Sequence, residues 1–191
     1  MSRRAPREKQ ARVVKGRRIR RGLIIVNTGD GKGKTTAALG LILRAWGRDF
    51  QVKMFQFIKH TTAQFGEHRA AARLGIPIEA LGDECTKRSK DMDQTIALAL
   101  EQWKRCKDAI LKGEEDIIVL DEFTFPMHYG WVPVDDVIDT LKRRPDPLHV
   151  IITGRYAPQE LIDRADLVTE MKMVKHPYHE QGIKAQLGIE L

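Results

Sequence analysis

Asn27-Thr28-Gly29-Asp30-Gly31-Lys32-Gly33-Lys34-Thr35-Thr36 follows directly on the apolar run Leu23-Ile24-Ile25-Val26, and Ala37 to Trp46 follows it. The apolar run reads as a strand and Ala37 to Trp46 as a helix. Strand, glycine-rich turn, Gly-Lys-Thr and helix, in that order, are the layout of a phosphate-cradling P-loop. Glycines let the backbone wrap an anion without Cβ clashes, so several N–H groups converge on it. The helix behind adds its unpaired amide donors and the positive end of its dipole. Lys34 then brings charge to the phosphates, and Thr35 brings a hydroxyl to Mg²⁺. Position 28, where the consensus has its first glycine, is Thr; Gly29 and Gly31 supply the flexibility one step later, and Lys32 is a second cation. A bare glycine turn is the plainer reading. The strand, the Gly-Lys-Thr and the helix together favour a nucleoside polyphosphate site.

The chain has 191 residues, 42% hydrophobic and 31% charged, which fits one domain with a full core. Its net charge of +7 is unevenly placed. Residues 1–21 hold ten Arg or Lys against one Glu, which leaves 23 basic and 25 acidic side chains in the rest. The basic character therefore belongs to an N-terminal arm, suited to nucleic acid, to an anionic ligand or to plain solvation. The arm has no long apolar segment, so it does not read as a secretory signal, and Ser2 as its one hydroxyl residue fits a transit peptide poorly. No apolar run approaches the ~20 residues of a membrane span. Cys85 and Cys106 lie apart, and His176 and His179 have Pro177 between them, so neither pair reads as a metal site. Free thiols point to a reducing cytoplasm.

Beyond the loop, Gln51–Ile58 reads as a strand, 59–66 as a loop and Glu67–Leu74 as a short helix. Ile76–Leu81 reads as a further strand, with Pro77 favouring an edge or a strand start. Apolar residues at Met92, Ile96, Ala99, Trp103, Cys106 and Ile110 mark one face of a helix over Asp91–Leu111. Asp116–Glu122 is a buried strand ending in two acids, and Val132–Lys142 a helix. Leu148–Thr153 is another strand, Pro158–Arg164 a short helix, Asp166–Met171 a last strand, and 172–191 is mixed. Apolar strands alternating with helices predict a mostly parallel sheet with helices on both faces. The expected fold is α/β: a single P-loop NTPase-like (RecA-like) domain over 22–191, with 1–21 as an arm.

Ligands of such sheets bind at the carboxyl ends of the strands. There the sequence places the loop, Gln56-Phe57-Ile58-Lys59, Asp121-Glu122 and Thr153-Gly154-Arg155. Four apolar residues before Asp-Glu resemble a Walker B acid that holds Mg²⁺ directly or through water, although an acid there can also cap a helix. Arg155 suits a phosphate clamp, or a pairing with Asp163 or Asp166. No nucleophile-and-base pattern stands out, so the loop leaves hydrolysis, phosphoryl transfer and rarer chemistry open.

Thr28-Gly29-x-Gly31-Lys32-Gly33-Lys34-Thr35-Thr36, Gln56-Phe57-Ile58-Lys59, Val119-Leu120-Asp121-Glu122, Ile151-Ile152-Thr153-Gly154-Arg155 and Lys184-Ala185-Gln186-x-Gly188-Ile189 together resemble the P-loop type of ATP:corrinoid adenosyltransferase. The motifs run in the family's order across about residues 20–191, and the missing first glycine is a family trait. The resemblance implies that the cobalt(I) of a cob(I)alamin-type corrinoid attacks the 5′ carbon of ATP and expels triphosphate, which accounts for the lack of a protein nucleophile. It assigns Lys34, Lys32 and Glu122 to catalysis, and Thr35 with Asp121 or Glu122 to Mg²⁺ or Mn²⁺. It assigns Thr28, Gly29, Asp30, Gly31, Lys32, Gly33, Lys34, Thr35, Thr36, Gln56, Lys59 and Arg155 to the ATP site, with Arg44 at the nucleoside. It further implies a cytoplasmic homodimer, a reductase or flavodoxin-type electron donor, no membrane or nucleic-acid partner, and an N-terminal segment that covers the active site.

After Gly82 the family usually has Phe-Thr-Trp, whose aromatics pack beneath the corrin; this chain has Asp83-Glu84-Cys85, and Asp30 where Asn is common. An acidic stretch does not build the same dry pocket. Phe65 or Trp131 as a substitute, an incomplete corrinoid lacking the lower ligand, and an altered or partner-assisted role all remain open. Two other functions compete: a P-loop ATPase holding nucleic acid through its arm, and a non-catalytic ATP or corrinoid carrier.

Overall fold

The computed structural model describes residues 21–58, 65–82 and 92–190; the arm to residue 20, Lys59 and Asp83-Glu84-Cys85 lie outside the described residues. In chain order the elements are β1 (Ile24–Thr28), α1 (Lys34–Trp46), β2 (Val52–Phe57), α2 (Gly66–Leu74), β3 (Ile78–Leu81), α3 (Met92–Lys112), β4 (Ile117–Asp121), α4 (Thr124–His128), α5 (Val134–Arg143), β5 (His149–Thr153), α6 (Gln159–Arg164), β6 (Leu167–Glu170) and α7 (Pro177–Gln181). The six strands form one sheet in the order β3-β2-β4-β5-β1-β6, and every neighbouring pair is parallel. The α/β reading stands.

Side chains alternate across a strand, so the inner strands β1, β2, β4 and β5 feed two cores. On one face Ile24, Phe55, Ile118, Leu120, Val150 and Ile152 pack with Trp103, Cys106 and Ile110 of α3, Leu141 of α5 and Leu161 of α6. On the other face Met54, Val119 and Ile151 pack with Ala38 and Ile42 of α1 and Ala71 of α2. Burial of both faces explains why β4 and β5 read as unbroken apolar runs. The Trp103 indole donates to Asp136 at 2.8 Å, and Lys107 pairs with the same carboxylate at 2.5 Å, tying α3 to the first turn of α5. Those two donors, Lys107 first, hold the Asp136 carboxyl below the usual carboxylate range.

Several boundaries differ from the expectation. Helix α1 begins at Lys34 rather than Ala37, because the helix takes over directly from the left-handed Gly33. Helix α4 was not expected: Pro126 sits in its short span, and its apolar side chains read equally as loop packing. The segment 172–191 contains α7, with Pro177 at its first position. The edges are less apolar in environment than predicted. β3 is half-buried, as Pro77 suggested, and all four residues of β6 are exposed.

Phe123 sits where the layers converge, fully buried, with its ring 4.7 Å from Phe57 and 5.0 Å from Trp103. Phe123→Ala is expected to cost about 3–5 kcal/mol, because the cavity lies between a strand and α3 and cannot collapse. Urea denaturation should show a lower midpoint at unchanged slope.

Candidate active site

Four polar side chains line up at the carboxyl end of the sheet. The pairing registers set Gln56 of β2 beside Asp121 of β4, and Asn27 of β1 beside Thr153 of β5. The β4–β5 register, which pairs Leu120 with Ile152, carries Asp121 to the level of Thr153. Each lies two residues beyond a residue of the α1-side core, so all four share the face that α1 covers. All four are buried. The strands' connections diverge at this row: α1 and α2 lie on one face, α5 and α6 on the other. That divergence opens the crevice in which doubly wound sheets bind ligands.

Asp121 is the centre of the row. Its side chain has no exposed surface, and it accepts hydrogen bonds from Thr35 Oγ1 at 2.8 Å, Thr153 Oγ1 at 2.7 Å and Gln56 Nε2 at 3.1 Å. Thr153 Oγ1 in turn accepts from the Glu122 amide at 3.0 Å. A carboxylate removed from water needs such donors to offset its lost hydration. Asn27 Nδ2, at the other end of the row, is buried with no hydrogen-bond partner among the described residues, leaving its N–H groups available to a ligand oxygen.

The loop wraps above. Gly29 has φ of 96°, and a Cβ there would stand 2.5 Å from the Met171 carbonyl, so the position requires glycine. Lys34 is buried and donates to the carbonyls of Gly29 at 2.8 Å and Gly31 at 2.7 Å, which aims its ammonium into the turn. Burial holds that ammonium below the usual lysine range; Arg155 and Lys32 press the same way, while Glu122 and Asp30 oppose. Two cations and two acids thus lie within electrostatic reach of the Lys34 ammonium. Glu122, next to the row, holds a left-handed φ of 57°, and Ile58 and Tyr156, past the ends of β2 and β5, share that conformation. Three such non-glycine residues at one end of a sheet are the backbone strain that accumulates around ligand sites.

The remaining candidates are placed as follows. Thr28 is buried at the end of β1, and its hydroxyl accepts from the Ala157 amide at 3.4 Å. Asp30 and Thr36 are exposed on the loop and the first turn of α1. Lys32 is exposed and pairs with Glu190 of the C-terminal segment at 2.8 Å. Arg155 is exposed, and its carbonyl accepts from Thr124 Oγ1 at 2.5 Å. Neither acid suggested for Arg155 pairs with it: Asp163 accepts from Gln159, and Asp166 from Arg21 and the Ile24 amide. Arg44 is exposed in the last turn of α1, about 15 Å along the helix from Lys34. The loop, Gln56, Asp121, Glu122 and Arg155 therefore come together, and Arg44 stands apart.

Sequence reasoning did not single out Thr153 and Asn27 for their side chains, and it missed His68. Thr153 and Asn27 were legible as polar residues closing apolar strands. His68 lies in an unremarkable polar stretch and carries no sequence signal.

A family model and similar sequences point to one family. The family model described as ATP:corrinoid adenosyltransferase BtuR/CobO/CobP matches residues 20–191. A corrinoid adenosyltransferase from Sinorhizobium sp is 38% identical over 173 residues, 89% of this chain and 80% of that protein. One from Escherichia coli (strain K12) is 37% identical over 170 residues, 89% of this chain and 86% of that protein. The flagellar accessory protein FlaH from Methanocaldococcus jannaschii superposes with a TM-score of 0.49 at 14% identity, over 78% of this chain and 70% of its own.

Thr153→Val keeps the shape but strips Asp121 of one donor and the Glu122 amide of its acceptor. The expected loss of stability is about 1–3 kcal/mol, measured by urea denaturation.

Proposed function

The chain belongs to the ATP:corrinoid adenosyltransferase family, and from that premise we propose that it transfers the 5′-deoxyadenosyl group of ATP to the cobalt(I) of a corrinoid, releasing triphosphate, in adenosylcobalamin synthesis or salvage. The observation that carries the reading is the union of loop and row: Lys34 held inside the P-loop, and Thr35 bonded to Asp121 directly beneath it. In this reaction the corrinoid supplies the nucleophile. The Co–C5′ bond forms as the C5′–O bond breaks, and the electron pair leaves on triphosphate. The protein has no proton to abstract and no covalent intermediate to form. Its task is to receive negative charge on a departing polyphosphate.

Lys34, Lys32 and the amides from Gly29 to Thr36 suit that task, since preorganised donors gain most where charge develops. Lys32 would exchange Glu190 for phosphate, an exposed pair that costs little to break. Thr35, Asp121 and Glu122 offer only oxygen donors, a hydroxyl and two carboxylates. Mg²⁺ commonly binds one or two carboxylates and completes its shell with phosphate and water, so the set fits Mg²⁺, or Mn²⁺, bound with ATP. Such an ion would neutralise charge on the triphosphate. Arg155 serves as a further phosphate contact, and ATP lies with its 5′ carbon toward the corrinoid.

The same reading includes a homodimer, a cytoplasmic setting, a reductase or flavodoxin-type donor for cobalt, and residues 1–21 as a cover over the site. No helix among the described residues is long and apolar enough to cross a membrane.

An anaerobic assay with Mg²⁺-ATP and chemically reduced cob(I)alamin tests the proposal. Loss of the cobalt(I) band with stoichiometric triphosphate is expected; ADP and phosphate with cobalt unchanged would overturn it. Lys34→Ala should abolish ATP binding and lower kcat/KM about 100-fold or more. Removing residues 1–20, which spares the Arg21–Asp166 pair, should reduce turnover more than thermal stability.

A further inference from the structure

His68 lies in the first turn of α2, half-buried, and two hydrogen bonds set its ring. The Phe65 amide donates to Nδ1 at 3.2 Å, so that nitrogen carries the lone pair. The ring proton is then on Nε2, which donates to Gln56 Oε1 at 2.6 Å. This in turn orients the Gln56 carboxamide. With Oε1 taken by His68, Nε2 faces Asp121 Oδ2 at 3.1 Å. The flipped amide would press its oxygen against the carboxylate and its NH₂ against the imidazole N–H. Both contacts are repulsive, and Gln56 has no exposed surface on which to relieve them.

A chain of donors therefore runs from the Phe65 amide through His68 and Gln56 to Asp121, which also accepts from Thr35 at the start of the P-loop helix. We propose that His68 is a positioning residue for the Mg²⁺-ATP site: through Gln56 it holds Asp121 Oδ2, which directs Oδ1 toward Thr35 and the divalent cation. The inference rests on the reading of the loop as a Mg²⁺-ATP site. It makes α2 more than a cover for the apolar second face. Its first turn sets the orientation of the acid on β4, the strand beside β2.

A plain structural alternative exists, in which His68 merely caps α2 by accepting from Phe65. Two variants of the full chain separate the roles. His68→Asn keeps an acceptor for the Phe65 amide but is too short to reach Gln56. His68→Gln places an amide N–H where Nε2 stood and gives up the Nδ1 acceptor. ATP affinity is measured calorimetrically in Mg²⁺ and in EDTA, and kcat and KM for ATP in the cob(I)alamin assay.

Partners that orient metal-binding groups typically contribute about 10–100-fold to metal affinity. His68→Asn should therefore lose about 10-fold or more of the Mg²⁺-dependent gain in ATP affinity, with affinity in EDTA within about twofold of wild type. His68→Gln should keep most of that gain, and kcat should follow the same order. A His68→Asn variant equal to wild type, or a His68→Gln variant as impaired as His68→Asn, would overturn the positioning role and leave the ATP site standing. Wild-type ATP binding indifferent to Mg²⁺ would overturn the site reading and this inference with it.

Discussion

Asp121 has no exposed surface, yet it stands at the end of a strand beneath a loop built for polyanions. A buried carboxylate is tolerated only where donors replace water, and Thr35 on α1, Thr153 on β5 and Gln56 on β2 are among the groups that do so here. That requirement constrains the surrounding structure. The registers of β2, β4 and β5 must bring Gln56, Asp121 and Thr153 to one level, and α1 must start at Lys34 so that Thr35 faces the acid. The neighbouring Lys34 holds its ammonium inside the loop, on the carbonyls of Gly29 and Gly31.

The loop also depends on the far end of the chain. Its Gly31 amide donates to Met171 at 2.7 Å, and the Met171 amide donates to Thr28 at 2.8 Å, so the backbone just past β6 braces the turn. Lys32 reaches Glu190, close to the C-terminus. Residues separated by most of the sequence thus share the wall of one site. Exposed apolar residues in the C-terminal segment, Val174, Leu187 and Ile189 among them, show that it contributes little to the protein's own core.

Strain gathers at the same end of the sheet. Ile58, Glu122 and Tyr156 hold left-handed backbones at a cost of order 1–3 kcal/mol each. For Ile58, whose branched side chain disfavours that region, the two packed cores beneath must supply the compensation. The edge strands β3 and β6 carry no such strain, and they are the least buried strands of the sheet.

Much of this was legible in the sequence, for physical reasons that can be named. Backbone wrapping of a phosphate requires glycine and Lys34 at short spacing, so the loop announced itself locally. Strands buried on two faces must be apolar throughout, so β4 and β5, and the acid at the end of β4, were plain. The period of α3 was plain because one helix face alone meets the core. What one dimension did not carry was which strands stand side by side. The row of Gln56, Asp121, Thr153 and Asn27 exists only once the order β3-β2-β4-β5-β1-β6 is set. His68 gains its role because α2 folds back over β2, and Lys32 meets Glu190 because the chain's end returns to its beginning. Local spacing determined the chemistry of the loop; long-range packing decided which groups support it, since a hydrogen bond depends on distance in space and not along the chain.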